Sequence, residues 1–168
     1  MKFDFSFWKK ASIKRKRIYS LIFIFIISVI VTLAGSLVPL SADDAQTLYD
    51  QVNKPITENK DLGSLSLYIF RNNFLLCLVM FIPIVGVAFG LFILFSTGIA
   101  LGAIASVQGI PVILDFLILL ITPIFWIEFV SYSLAMTASI WLSRRLLQKR
   151  WRELKWTGIS IAITALLL

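Results

Sequence analysis

The chain has 168 residues, of which 59% are hydrophobic and only 15% are charged. Soluble domains are usually about 45–50% apolar and about 25% charged, so the composition excludes a soluble globular enzyme and a disordered chain. The sequence contains no histidine and one cysteine, which excludes an intrachain disulfide and a cysteine-rich metal site. It therefore predicts a small all-α integral membrane protein without a cofactor.

Charged residues cluster in three segments, and the order of their signs predicts a topology. Lys and Arg dominate residues 1–17 and 144–155, whereas acids dominate residues 41–66. Because short loops rich in Lys and Arg stay in the cytoplasm, we expect both basic segments inside the cell and residues 41–66 outside it. Both basic segments border apolar spans, which favours contacts with lipid headgroups over binding of nucleic acid.

Residues 18–40 form the first predicted span. They contain no charge over 23 positions, and about 20 apolar residues cross a bilayer. The apolar run is longer than that of a signal peptide and no clear cleavage motif follows it, so we interpret it as an uncleaved anchor. Pro39 is expected to end this helix, because proline lacks the N–H that the next turn would use.

The extracytoplasmic segment, residues 41–66, contains a predicted amphipathic helix. Ser41 or Asp43 can cap its start, and Pro55 is expected to stop it after Lys54. Its apolar side chains recur at helical spacing and form one stripe, made of Ala45, Leu48, Tyr49 and Val52. We expect this helix to cover the outer leaflet or the top of the bundle. A docking face for an extracytoplasmic partner is the alternative.

Residues 67–143 are almost continuously apolar, and two prolines and a turn divide them. The pieces are 67–82, 84–107, 112–122 and 124–143, and the breaks fall at Pro83, Gln108–Pro111 and Pro123. Since residue 66 is expected outside and residue 144 inside, one piece must fail to cross. We assign residues 112–122, about 17 Å of helix, as a half-span. It is either re-entrant or continuous with 124–143 through a kink.

The last apolar piece, residues 156–168, has 13 residues. That is about 20 Å of helix, which is too short for a full span. The piece either lies partly in the bilayer or continues into further sequence. Residues 1–168 are thus predicted to form a single membrane domain, a polytopic helical bundle of about five transmembrane helices with Pro-broken or half-span segments.

Four glycines on the piece 84–107 make two G-x-x-x-G motifs and are predicted helix-packing residues. They are Gly86, Gly90, Gly98 and Gly102. Small residues let membrane helices approach closely. The same four-residue spacing recurs on the piece 124–143, at Ser131, Ala135, Ser139 and Ser143. We therefore expect these two pieces to pack on each other through these faces, with a gating bend at the glycines as the alternative.

Four polar residues within the apolar pieces are predicted to form a buried polar cluster. They are Asn72, Asn73, Asp115 and Glu128. A charge at mid-bilayer costs at least about 2.5–3.5 kcal/mol, so the acids should face the protein interior or a partner. The two asparagine amides can donate hydrogen bonds to Glu128, and Arg71 is a candidate partner for Asp115. The cluster is either structural or the site of an ion or proton relay.

These residues, in this order, resemble the stage II sporulation protein M family over about residues 15–168. The resemblance rests on Ile69-Phe70-Arg71-Asn72-Asn73, on the spaced glycines with Gly98-Ile99 and Leu101-Gly102, and on Glu128. Family members carry a His-Gly-x-x-Glu type stretch, of which Phe125-Trp126-Ile127-Glu128 keeps only the acid. The resemblance implies a five-helix membrane protein. In spore-forming bacteria it implies an adaptor that holds cell-wall hydrolases at the engulfing membrane, whereas relatives in organisms that make no spores have no assigned role.

The sequence carries no G-x-S-x-G, P-loop, HExxH or CxxC motif, so nothing in it indicates catalysis. We therefore expect a non-enzymatic membrane scaffold or a small subunit of a larger membrane complex. Its expected partners are the lipid bilayer and other membrane or extracytoplasmic proteins, or a second copy of the chain. The alternative is a transporter or channel component with an intramembrane polar site around Glu128, because proline-broken helices frame such sites.

Overall fold

The fold is entirely helical over residues 11–58, 61–149 and 153–168, which are the residues that this computed structural model describes. The helices are α1 (Ile13–Ser36), α2 (Ala42–Glu58), α3 (Leu62–Met80), α4 (Val85–Gln108), α5 (Val112–Ile121), α6 (Pro123–Leu147) and α7 (Glu153–Leu167). Four of them, α1, α3, α4 and α6, are long and apolar enough to cross a membrane. The predicted all-α membrane bundle is therefore confirmed, with four helices of spanning length in the described residues and shorter α5 and α7.

Parts of the predicted terminal and loop segments fall outside this description. Residues 1–10 of the expected basic tail and residues 150–152 of the expected basic loop lie outside the described residues. The described parts of both segments begin or end a spanning helix. Residues 14–17 lie near the start of α1, and residues 144–147 form the last turn of α6.

The bundle is built around α6. This helix is the most buried of the four long ones, and it contacts α1, α3, α4, α5 and α7. Its small residues Ser131, Ala135 and Ser139 are fully buried, which allows neighbouring backbones to come close on several sides. In the apolar core, aromatic and methionine side chains of α6 pack with apolar side chains of α3 and α4. The α6 residues include Phe125, Phe129 and Met136, and they are joined by Met80 of α3 and Leu94 of α4.

Contacts of Arg17 place both basic segments at one end of the bundle. The Arg17 guanidinium forms an ion pair with Glu153, the first residue of α7. It also lies over the indole ring of Trp141 near the end of α6, 5.2 Å from the ring centroid. We call this end, with residues 14–17 and 144–149, the basic end. Because α1 has 24 residues and is about 36 Å long, the acidic α2 that follows it lies at the opposite end.

The helix α2 packs against α4 at the end opposite the basic end. Ser41 caps it, because its Oγ accepts the Asp44 N–H at 3.2 Å and donates to the Asp44 carboxylate at 2.6 Å. In the predicted stripe, Ala45 is buried, and Leu48 and Tyr49 are half-buried. Val52, the last residue of the stripe, is exposed.

The prediction that Pro55 stops this helix after Lys54 is wrong. The helix continues through Pro55 to Glu58. A proline inside a helix removes the hydrogen bond to the carbonyl four residues earlier, which here belongs to Gln51. Gln51 is exposed, so water can satisfy that carbonyl and the helix gains one further turn.

A strained turn joins α3 to α4 at Pro83. Ile84 has φ 71° and ψ −54°, and the Val85 N–H donates to the Pro83 carbonyl at 2.8 Å. This is a positive-φ γ-turn, which is rare and strained for a β-branched residue. Two α6 serines hold it: the Ile84 N–H donates to Ser143 Oγ at 2.8 Å, and Ser139 Oγ donates to the Ile82 carbonyl at 2.7 Å.

The short helix α5 is separate from α6. Thr122 has ψ 137°, an extended conformation that ends α5, and Pro123 then occupies the start of α6, where its fixed φ suits a first turn. The interpretation of 112–122 as continuous with 124–143 is therefore wrong. The last carbonyls of α5 accept from Thr122 Oγ1 at 2.7 Å and from Trp126 Nε1 at 3.0 Å. The carbonyls of Leu119 and Leu120 thus find their hydrogen-bond donors within the same stretch of chain.

Candidate functional site

A hydrogen bond between α3 and α6 forms the candidate site. Asn73 Nδ2 donates to Glu128 Oε1 at 2.6 Å, and both residues are half-buried. Asn73 lies near the middle of α3, and Glu128 lies in the second turn of α6. The bond joins two helices of spanning length, and the Glu128 carboxyl group thus faces another helix, as is usual for an acid within a membrane helix.

The other two members of the predicted cluster lie at its edge or apart from it. The Asn72 amide is 3.5 Å from Asn73 Oδ1 and the residue is exposed, so this is a weak contact. Asp115 lies in the first turn of α5, where its charge complements the free N–H groups of that helix start. Among the described residues, no hydrogen bond or ion pair joins Asp115 to the asparagines, to Glu128 or to Arg71.

The polar contact is narrow and is enclosed by the core on one side. Cys77 and Tyr132 lie four residues beyond Asn73 and Glu128 on their respective helices, and both are buried. Within the described part of the chain, no group of His, Cys, Asp and Glu is arranged to hold a metal ion. The arrangement can fix the contact of α3 with α6 through one charge-assisted hydrogen bond, or it can hold a proton on a single carboxyl group.

The first two glycines of α4 lie against α6, and Gly86 also lies against the end of α3. A Cβ atom built on Gly86 would lie 2.9 Å from Ser139 Oγ and would also overlap the Met80 carbonyl. A Cβ atom on Gly90 would lie 2.5 Å from Met136 Sδ. Cβ atoms in proteins essentially never lie this close to other atoms, so Gly90 allows the close approach of α4 to α6, and Gly86 allows that of α4 to both α6 and the end of α3.

The other two glycines face α1, so the expected packing partner is wrong for them. A Cβ atom on Gly98 would overlap the Thr32 carbonyl and lie 2.9 Å from the Cα of Gly35, and one on Gly102 would lie 2.6 Å from the Ser36 carbonyl. The reason is geometric: each step of four residues turns a helix by about 400°, so Gly86 and Gly102 point about 160° apart. One row of glycines therefore serves two interfaces.

The matching face of α1 was not predicted, although its signal is visible in the sequence. Ser28, Thr32 and Ser36 recur every four residues and are almost completely buried. Thr32 Oγ1 donates to the Ser28 carbonyl at 3.0 Å, and Ser36 Oγ donates to the Leu33 carbonyl at 2.8 Å. Small residues of this kind are typical of close helix contacts in membranes.

These features define the chain as a polytopic α-helical membrane protein whose long helices pack through small residues and one intramembrane acid–amide contact. The family model described as Stage II sporulation protein M matches residues 20–168. The match covers most of the chain, including Asn73, Glu128 and the four α4 glycines, and the chain belongs to this family. No curated protein and no solved structure matches the chain significantly.

Proposed function

We propose that this protein is a non-enzymatic membrane scaffold that holds an extracytoplasmic protein at the cell membrane through α2. The observation that carries the proposal is the pair Val52 and Ile56, which are 37% and 51% exposed. They lie four residues apart and so share one helix face. The continuation of α2 past Pro55 places Ile56 on that face. An exposed apolar pair of this kind suits a partner with an apolar groove.

The proposal includes an orientation in the membrane. The basic end carries Lys14, Arg15 and Lys16 at the start of α1 and Arg144 and Arg145 at the end of α6. Loops rich in Lys and Arg are retained in the cytoplasm. The basic end and the N-terminus therefore face the cytoplasm, and α2 lies on the outer face of the cell membrane.

Affinity purification from native membranes in mild detergent tests the scaffold role. We expect a stoichiometric partner to accompany the protein, and the double variant Val52→Lys/Ile56→Lys to lose it. The matched control is Gln51→Lys/Thr57→Lys, which adds the same charge at exposed neighbouring positions on α2 and should retain the partner. A wild-type protein that runs alone and monodisperse, without a stoichiometric partner, would contradict the scaffold role.

A transporter or channel component is the second candidate, and the bond between Asn73 and Glu128 is the observation that favours it. An intramembrane acid with one amide partner can hold a proton or a cation. We expect, on this candidate, a flux in reconstituted vesicles that vanishes in Glu128→Gln and persists in the control Asp115→Asn. No flux above that of empty vesicles for any ion tested would count against transport and leave the scaffold role unaffected.

A further inference from the structure

A groove at the basic end opens between α1, α6 and α7. Its volume is about 260 Å³. Arg17, Trp141 and Trp156 line its mouth, and apolar side chains such as Leu21, Leu134 and Ile163 line its deeper part. The groove thus combines an aromatic and basic entrance with an apolar interior. A phospholipid has the matching order of parts, because its polar headgroup suits the entrance and its acyl chain suits the interior.

Two buried polar groups in the groove wall have no hydrogen-bond partner. They are Trp141 Nε1 and Thr137 Oγ1, and each residue is only 5% exposed. Nearly all buried polar atoms in proteins are hydrogen-bonded. The indole N–H only donates and the hydroxyl readily donates, so a ligand rich in acceptor oxygens matches both. Thr157 in the same wall differs, because its hydroxyl already donates to the Glu153 carbonyl at 3.2 Å.

The end of α6 next to the groove carries an excess of positive charge. Arg17 is paired with Glu153, whereas Arg144 and Arg145 have no carboxylate partner among the described residues. Their guanidinium carbons lie 5.9 and 5.8 Å from the Trp141 ring centroid. Both arginines therefore lie next to the Trp141 ring, just outside the residues that line the groove, and Arg145 also donates to Gln148 Oε1 at 3.2 Å. Their positive charge complements an anionic headgroup.

We propose that this groove binds one anionic phospholipid. The phosphate accepts from Trp141 Nε1 and faces Arg144 and Arg145, and the ester oxygens accept from Thr137, which lies one turn deeper on α6. One acyl chain follows the apolar interior between the three helices. Basic pockets between transmembrane helices commonly recognise anionic lipids, and interfacial tryptophans lie at headgroup level. The lipid thereby joins α7 to α1 and α6.

Native mass spectrometry of the delipidated full-length chain tests the proposal. Phosphatidylglycerol and phosphatidylcholine are each titrated onto the protein, and we expect phosphatidylglycerol to bind more tightly. Thr137→Val should weaken phosphatidylglycerol binding about fivefold, the effect of one lost hydrogen bond. The matched control Thr157→Val removes a hydroxyl that is already partnered within α7, and it should bind the lipid as the wild type does.

A second pair of variants keeps the test independent of the buried threonine. Arg144→Gln/Arg145→Gln changes two side chains next to Trp141, outside the groove lining, and should reduce the preference for phosphatidylglycerol over phosphatidylcholine. Circular dichroism and size-exclusion profiles establish that each variant is folded. Equal binding of the two lipids by the wild type would overturn the proposal, and so would phosphatidylglycerol binding that neither Thr137→Val nor the arginine variants weaken.

Discussion

At the scale of single residues, Gly98 is a position where one added methyl group would meet the backbone of a neighbouring helix. The Cβ atom of Gly98→Ala would overlap the Thr32 carbonyl and approach the Gly35 Cα at 2.9 Å, and backbone atoms cannot rotate away as a side chain can. We expect the free energy of unfolding to fall by about 1–3 kcal/mol, as for overpacked interiors. Thermal unfolding in detergent measures this change.

Gly158→Ala is the matched control for this substitution. A Cβ atom on Gly158 in α7 meets nothing within 4 Å, so the only effect is the higher helix propensity of alanine. Stability should stay unchanged or rise by up to about 1 kcal/mol. If both variants lost stability equally, the contact of α4 with α1 would not be as close as the structure has it.

The contact between Asn73 and Glu128 predicts a specific cross-link. Cysteines at these two positions, in a background without Cys77, should be joined by a short bifunctional reagent, because the native side chains are 2.6 Å apart. The exposed Asn72 provides the control, and its cysteine should cross-link to position 128 more weakly. If the cysteines at positions 73 and 128 do not cross-link although each single variant folds normally, α3 and α6 do not meet at these two residues.

Asp61 predicts a pH dependence at the start of α3. Its carboxylate accepts the Gly63 N–H at 2.8 Å and the Ser64 N–H at 3.1 Å. The hydrogen bonds of Ser64 and Gly63 hold the pKa of this carboxyl group below its ordinary value of 3.8. Because the pKa of this carboxyl group is lower in the folded protein, the cap stabilises the helix start fully when the pH is above the ordinary pKa. This stabilisation is lost as the pH falls through the lower pKa of the folded state.

Amide hydrogen exchange at Gly63 and Ser64 measures this loss. Exchange in the wild type should accelerate, relative to Asp61→Asn at the same pH, only at pH values below 3.8. Asparagine caps a helix as well as aspartate does but does not titrate, so it corrects for the intrinsic pH dependence of exchange. A constant ratio between the two proteins over this range would show that the carboxylate does not cap α3.

At the scale of elements, the turn between α3 and α4 stores strain that α6 holds in place. Ser143→Ala removes the acceptor of the Ile84 N–H and should lower the free energy of unfolding by about 1 kcal/mol. Ile84→Gly should instead raise it by about 1 kcal/mol, because glycine adopts the positive φ of 71° without strain. Chemical unfolding of both variants in detergent provides the values.

Ser160→Ala is the control for the turn, because Ser160 is partly buried and donates only to the Trp156 carbonyl of its own helix. It should leave stability almost unchanged. If Ser143→Ala were equally silent, the serine would not hold the turn. If Ile84→Gly were destabilising, the contacts of the isoleucine side chain would outweigh the backbone strain.

The breaks at Pro83 and Pro123 were predictable from sequence, whereas the bounds of α1 (Ile13–Ser36, against a predicted 18–40) and the partners of the helices were not. Pro83 lies between α3 and α4, and Pro123 lies at the start of α6, because each removes a backbone donor inside an apolar segment that lacks water. Pro55 has the same chemistry but lies in an exposed helix, where water replaces the lost bond. The second glycine pair was assigned to the wrong neighbour, because spacing along one helix does not say which helix lies opposite each turn.

At the scale of the whole molecule, the charge pattern predicts which face of the membrane each end meets. Single cysteines in place of Asp50 and Lys149, in a background without Cys77, should react with a membrane-impermeant reagent from opposite sides. Position 50 should label from outside the cell and position 149 only after the membrane is opened. Labelling of both from the same side would refute the orientation.

The sequence by itself determined the class of the protein, the approximate extent of the spanning helices and the need of Glu128 for a partner inside the protein. These follow from local quantities: a bilayer requires about 20 apolar residues and an internally bonded backbone. Only the tertiary structure decided that Asn73 is the partner of Glu128, that Asp115 lies apart, and that α1 shares the glycine row of α4 with α6. Those pairings depend on how helices rotate and cross, which is set by the fit of many side chains at once and is absent from any single segment.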